Sequence, residues 1–284
     1  MSGRAWIAFG AVAFLWGIPY LLIKVALEDL SPLFVVWARV AIAAAIVLPI
    51  AWASGALRGL GAHWPSIAAY AAAEVAIPFP LIALGEVSVS SSLTAMIIAA
   101  MPLVVVLLGL RLAPGEQLGQ RRLTGLLVGL LGTVALLAPA AAGDGASAVG
   151  VLLIALATCS YACSVFVVRR RLALLPPLGP VAAGLALACL ALTPYALLHP
   201  PASAPSGAVV AALVALGLGC TALALVAFFY LAAKAGPGPA SLVTYVNPSV
   251  AAVAGAVVLN ESVTAIAVVG LVLTVFGSWL SAAA

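Results

Sequence analysis

The chain has 284 residues, 66% of them hydrophobic and 6% charged, with a formal net charge of +4 and a mean hydropathy of +1.33. So little charge excludes a dispersed soluble domain, and 11 basic residues spread along the chain exclude a nucleic-acid surface. A bilayer is the solvent that this composition fits.

Crossing ~30 Å of hydrocarbon takes ~20 apolar residues. Ten such runs are predicted as transmembrane helices: 4–26, 32–53, 64–86, 91–111, 121–139, 148–170, 178–198, 207–234, 238–259 and 264–283. The runs are continuously apolar and about twice the length of a barrel strand, which excludes a β-barrel. The longest predicted loops are 54–63, 112–120, 140–147 and 199–206, too short to hold a separate soluble domain. The first run lacks a small-residue cleavage site and is expected to be a helix, not a removed signal peptide. Cys159, Cys163, Cys189 and Cys220 all fall inside apolar runs and are expected to pack, with neither disulfide nor metal site.

The second half repeats the first at an offset of 145. Trp16 falls on Tyr161, Lys24 on Arg169, Leu27 on Leu172, Glu116 on Glu261, Gly125 on Gly270 and Gly132 on Gly277, while Pro102 meets Pro248 at 146. Each half holds five apolar runs. Five is odd, so the second copy is expected to enter the bilayer from the opposite side. The fold class is therefore an all-α integral membrane protein, with ten helices as two inverted five-helix repeats over residues 1–140 and 146–284. Inverted repeats of this kind mark transporters whose substrate site lies between the halves.

With the N-terminus in the cytoplasm, Arg4, Arg58, Arg111, Arg121, Arg122, Arg169, Arg170, Arg171 and Lys234 all fall at the inner face. Only Lys24 falls near the outer one, beside Glu28 and Asp29, and Arg39 lies within a helix. This positive-inside distribution predicts that both termini are cytoplasmic.

Several of these residues resemble a known family. Phe14-Leu15-Trp16-Gly17 with Lys24 eight residues after the tryptophan, the mid-helix Arg39, and Met101-Pro102 followed by Glu116 are similar to an EamA-type unit of the drug/metabolite transporter superfamily. The second half follows with Tyr161, Arg169 to Arg171, Asn247-Pro248, Asn260-Glu261 and the glycines of the last helix. Tyr161 stands where the family often has a second tryptophan. The resemblance covers essentially the whole chain. It implies ten helices, a multi-pass location in the bacterial plasma membrane and export of small metabolites or drugs. It also implies a cavity lined by helices one, three, four, six, eight and nine, with the fifth and tenth as peripheral scaffold.

Glu74 is the leading candidate for function. Ten residues beyond the interfacial Trp64 it lies ~15 Å deep, near the bilayer midplane. An ionised, lipid-facing carboxylate there is costly, so intramembrane acids mark functional sites by default. Glu74 is read as a substrate-amine contact or a proton-coupling carboxyl, against a structural ion pair or hydrogen bond. Arg39, ~10 Å into the second helix, is read as snorkelling outward, bonding carbonyls at a helix break, pairing with Glu74, or binding a substrate carboxylate. Trp16 and Tyr161, too deep for an interfacial belt, fit a cavity wall able to stack on a ligand. Tyr20 lies one turn from Trp16, and Tyr245 and Asn247 add polar groups to the same expected substrate site. Pro78, Pro80, Pro102 and Pro248 are candidate gating positions, with Pro19 and Pro194 as further helix breaks, because each proline removes a helix hydrogen bond. Gly125, Gly129, Gly132, Gly270 and Gly277 are expected to let helices approach closely.

No phosphate loop, dinucleotide fingerprint or HExxH pattern is present, so no cofactor is expected. The expected partners are the lipid bilayer, a small-molecule substrate and protons as a candidate coupling ion, with the protein acting as a monomer. The function read from sequence is a secondary transporter, not an enzyme, exporting small metabolites such as amino acids or amphipathic drugs by alternating access. The alternatives are uptake or exchange of an anionic solute such as a sugar phosphate, which would call for more intramembrane cations, and a membrane enzyme, which would call for clustered acids or histidines.

Overall fold

The structure, a computed structural model, describes residues 2–112, 119–141, 146–247, 250 and 265–282. All secondary structure among the described residues is helical. Among the described residues, six helical stretches are long and apolar enough to cross a membrane: Gly3–Ala26, Pro32–Ala53, Leu60–Gly85, Ala148–Leu172, Leu178–Leu198 and Gly207–Ala235. Leu93–Gly109 and Val268–Ser281 are shorter apolar helices. Ile7, Phe14, Trp52, Leu152 and Leu187 are among the large apolar side chains exposed on the outside. That arrangement suits lipid, which solvates leucine as well as a protein core does.

Apart from the ninth, 238–259, which lies largely outside the described residues, the expected spans match the helices to within a few residues, and most differences are interior breaks. The first span divides into α1 (Gly3–Leu15) and α2 (Pro19–Ala26), and α3 is Pro32–Ala53. The third begins with a tight turn at Leu60–His63. It continues as α4 (Trp64–Ala71), widens into a π turn at Ala72–Ala76, and ends as α5 (Pro78–Gly85). The fourth is α6 (Ser91–Ala99) and α7 (Met101–Leu112), started by Ser90, whose hydroxyl accepts from the Leu93 amide. Next come α8 (Gln120–Ala141), α9 (Ala148–Val167) with a π turn at Val168–Leu172, and α10 (Leu178–Leu198). Pro194 lies inside α10, which is continuous across it. The eighth span is α11 (Gly207–Ala215), a π segment at Leu216–Leu223, and α12 (Ala224–Ala235). The short α13 (Pro237–Ser241) opens the ninth, and α14 (Ala265–Ala282) is the last helix. Glu116, Asp144, Pro248, Asn260 and Glu261 lie outside the described residues.

Two of the breaks correspond across the halves. Moving Ala72–Ala76 by 145 gives 217–221, inside the π segment Leu216–Leu223. Proline causes the first. Ile77 N–H bonds to the Ala72 carbonyl at 3.0 Å, and Pro78 has no N–H to offer, so the Ala73 carbonyl loses its helical partner. π turns inside helices occur most often at functional sites.

The glycine stripes join α8 to α14. A Cβ on Gly277 would lie 2.2 Å from the Gly129 nitrogen, and one on Gly132 would lie 2.5 Å from the Thr274 nitrogen. Backbone meets backbone here, so only glycine fits. The expected scaffold role of these glycines is what the packing displays.

Candidate functional site

Three helix breaks leave carbonyls without partners at membrane depth, where no water can satisfy them. Each is closed by a side chain from the other half of the chain. At the α1–α2 break, Gly17 N–H turns back to the Phe14 carbonyl and frees that of Ala13. In the orientation its neighbours require, the Asn247 amide donates to the Ala13 carbonyl at 3.2 Å and to that of Val243 at 2.8 Å. Ser160 on α9 donates to the freed Ala73 carbonyl at 2.8 Å. In the π segment after α11, the Cys220 carbonyl accepts from Trp16 Nε1 at 3.0 Å. These bonds pull the broken segments together around one internal cavity.

Trp16, Tyr20, Arg39, Glu74, Phe79, Tyr161, Phe228 and Asn247 are among its lining residues. The Trp16 and Phe228 rings lie 4.7 Å apart at 48°. Ile23, Ile82 and Ile98, packed in one cluster, line one end, and Pro19, Met101 and Thr244 complete the wall. The lining comes from the first, third, fourth, sixth, eighth and ninth expected spans. The second joins them through Arg39, an addition to the set implied by resemblance. Among the described residues, neither α8 nor α14 contributes to the lining. The free space is about 40 Å³, room for a few waters at most.

Arg39 is 5% exposed. Its Nε donates to Thr221 Oγ1 at 3.0 Å, and its guanidinium lies 4.2 Å from the centre of the Phe79 ring. Thr221 in turn donates to the Leu216 carbonyl at 2.7 Å, a bond made within the π segment. Of the five guanidinium N–H donors, one is bound to a described residue. The Arg39–Glu74 pair considered from sequence is not formed: a neutral hydroxyl and an aromatic face hold the cation instead.

Glu74 is fully buried in the π turn of the third span. Its Oε2 contacts the Ser164 hydroxyl, and Oε1 has no hydrogen-bond partner. Ser164 Oγ also lies 3.0 Å from the Tyr161 carbonyl. A hydroxyl has one hydrogen. It can serve the carbonyl while keeping its bond to Glu74 only if the carboxyl supplies a hydrogen of its own. The triad therefore accommodates a protonated Glu74 with both Oε2 and the Tyr161 carbonyl served, and Oε1 alone stays without a partner.

The remaining sequence candidates separate. Trp16, Tyr20, Tyr161 and Asn247 come together in the cavity with Arg39 and Glu74. Tyr245 does not. It is fully buried, its hydroxyl donates to the Leu126 carbonyl at 2.8 Å, and its ring fills the space beside Gly129. It packs the ninth span on α8, because the glycine leaves a slot the size of an aromatic ring. Pro78 starts α5 and Pro102 lies in the first turn of α7, both buried; together with Pro80, they frame the wall without lining it. Lys24 turns from the acidic loop residues to the backbone carbonyl of Glu86. Ser160, Ser164, Thr221 and Glu86 were missed by sequence reasoning. The hydroxyls were legible only as polar atoms on apolar helices, and Glu86 looked like a helix terminus in water.

The comparisons agree with one another. The model of the EamA-like transporter family matches residues 4–138 and again 148–283. An uncharacterized transporter of Archaeoglobus fulgidus is 23% identical over 283 residues, 98% of each chain. A protein of known crystal structure superposes with a TM-score of 0.79 at 22% identity, covering 99% of this chain and 97% of that one, which shows a shared fold. On the match of both halves, the chain belongs to the EamA-like transporter family.

Proposed function

We propose that this membrane transporter is a secondary carrier that exports small amphipathic metabolites, amino acids foremost, from the cytoplasm of a bacterial cell. The observation that carries the reading is the placement of Arg39 and Glu74 in one aromatic cavity, each held by a neutral hydroxyl and not by the other. A cation and an acid left unpaired with each other in a low-dielectric site fit a ligand with a carboxylate and an ammonium, the first bonded to Arg39 and the second to Glu74 once its proton has left. Trp16, Tyr20, Tyr161 and Phe228 supply the apolar and π surface for the remainder of such a ligand.

Free space of about 40 Å³ is too small for an amino acid, so admitting one requires helices to separate. This supports alternating access about the breaks at Trp16–Ile18, Ala72–Ile77 and Ala99–Met101. The architecture proposed is ten helices in two inverted repeats, 1–140 and 146–284. The protein sits in the plasma membrane as a monomer with both termini cytoplasmic. Glu74 is the proposed proton site: it binds a proton on one side of the membrane and releases it on the other as the cavity changes access. A metabolite panel in proteoliposomes, with and without a pH gradient, tests the reading. Gradient-dependent movement of amino acids is expected, and movement of sugar phosphates with amino acids excluded would overturn it.

A further inference from the structure

One turn beyond the isoleucine end of the cavity lies a polar layer that the transport reading does not use. Lys24 follows Ile23 directly, Glu86 is four residues past Ile82, and Thr94 is four residues before Ile98. Helical spacing sets Glu86 and Thr94 one turn beyond the isoleucines of their own spans, and the Lys24 ammonium reaches the same level through its bond to Glu86. Glu86 is fully buried, and neither oxygen of its carboxyl has a hydrogen-bond partner. Thr94 Oγ1 is buried next to that carboxyl, close enough to act on it though short of hydrogen-bond geometry. The Lys24 ammonium, half-buried beside them, donates to the backbone carbonyl of Glu86.

That choice of acceptor is informative. A bare carboxylate within reach of an ammonium is the stronger acceptor, and leaving it buried without a donor is costly. An ammonium bound to the neighbouring carbonyl is the geometry of a neutral acid. A metal cation fits poorly, because Lys24 already brings a positive charge and Glu86 and Thr94 offer few oxygens. The charged and titratable groups acting on the carboxyl are Lys24 and Arg39, with Thr94 as a polar neighbour; Glu86 acts in turn on Tyr20 and Tyr161.

We propose that Glu86, framed by Thr94 and governed by Lys24, is a second proton-binding site, separated from the Glu74 cavity by Ile23, Ile82 and Ile98. Loss of the proton draws the Lys24 ammonium from the Glu86 carbonyl to its carboxylate. This changes how α2 is tied to the end of α5, beside the isoleucine end of the cavity. The site is defined without reference to Glu74 or to any substrate.

Infrared difference spectroscopy of the full chain in nanodiscs, titrated with protons alone, tests this directly. At neutral pH the protonated-carboxyl stretch, identified by its downshift in D2O, should lose one component in Glu86→Gln and retain that component in Glu74→Gln. Lys24→Met leaves the acid in place and removes the cation. The Glu86 component should then persist upward by about one to three pH units, the effect of an opposite charge at contact range. A Glu86→Gln spectrum identical to wild type at neutral pH would overturn the proposal. If that variant does not fold, an unchanged titration in Lys24→Met would overturn it instead. Failure of the Glu74 reading would show as a missing loss in Glu74→Gln and leaves the Glu86 result intact.

Discussion

Glu74→Gln separates a coupling acid from a structural one. In wild type the Ser164 hydroxyl faces two acceptors, Glu74 Oε2 and the Tyr161 carbonyl at 3.0 Å. A glutamine amide donates to Ser164 Oγ as a protonated acid does, which leaves the hydroxyl hydrogen for the carbonyl. The hydrogen-bond count is conserved, so the expected stability change is below about 1 kcal/mol. At ~2–4 °C per kcal/mol, the melting temperature should move by less than about 4 °C. Ser164→Ala provides the contrast. It leaves the Glu74 carboxyl and the Tyr161 carbonyl without their shared hydroxyl inside the membrane, costing about 1–3 kcal/mol. Melting in detergent and transport into proteoliposomes, with and without a pH gradient, are measured on both variants. Glu74→Gln should melt like wild type and transport without dependence on the gradient. Wild-type gradient dependence in Glu74→Gln would refute the reasoning, and a large loss of stability would make Glu74 a structural ion.

Gly277→Ala would place a methyl 2.2 Å from the Gly129 nitrogen; since backbone cannot yield, α8 and α14 must part, with an expected loss of about 1–3 kcal/mol or more, read as lower melting and expression. Asp29 accepts from the Ser206 amide at 2.7 Å, which holds its carboxyl below the ordinary value. A folded-state pKa that is depressed stabilises above the unfolded value, near 3.9, and the contribution is lost as pH falls through the folded value. Asp29→Asn should therefore melt slightly below wild type at neutral pH, and the gap should close in acid. Single cysteines at positions 2, 144 and 282 test orientation in intact cells: only position 144 should react with an impermeant reagent, and external labelling of 2 or 282 would reverse the proposed topology.

Much of the helical arrangement was readable because hydropathy and proline act locally. α10 falls on the expected 178–198, and α3 on 32–53. The breaks at Trp16–Ile18 and Ala72–Ile77 were readable from the prolines that follow them. The π segment Leu216–Leu223 carries no proline, and the consequences of none of these breaks were readable. That Asn247, Ser160 and Trp16 each close a carbonyl freed in the other half depends on which helices meet, and no local pattern carries that. Depth identified Glu74 and Arg39, since an ionisable residue ~10–15 Å from an interface must be accommodated. Their partners, Ser164 and Thr221, are common residues in membrane helices and gave no such signal. Tyr245 misled for a related reason: depth shows that a hydroxyl needs a partner, but not whether a cavity or the Leu126 carbonyl supplies it. Glu86 was overlooked because it ends a span, a position that resembles solvent in sequence and is buried in the fold.

The central claim, a cavity that reads both charges of a zwitterion through Arg39 and Glu74, is tested most directly by counterflow in proteoliposomes. An aromatic amino acid would be compared with its methyl ester, which lacks the carboxylate, and its N-acetyl derivative, which lacks the ammonium. The account predicts exchange of the zwitterion and at least tenfold slower exchange of both derivatives; equal exchange of all three, or preference for a singly charged one, would contradict it.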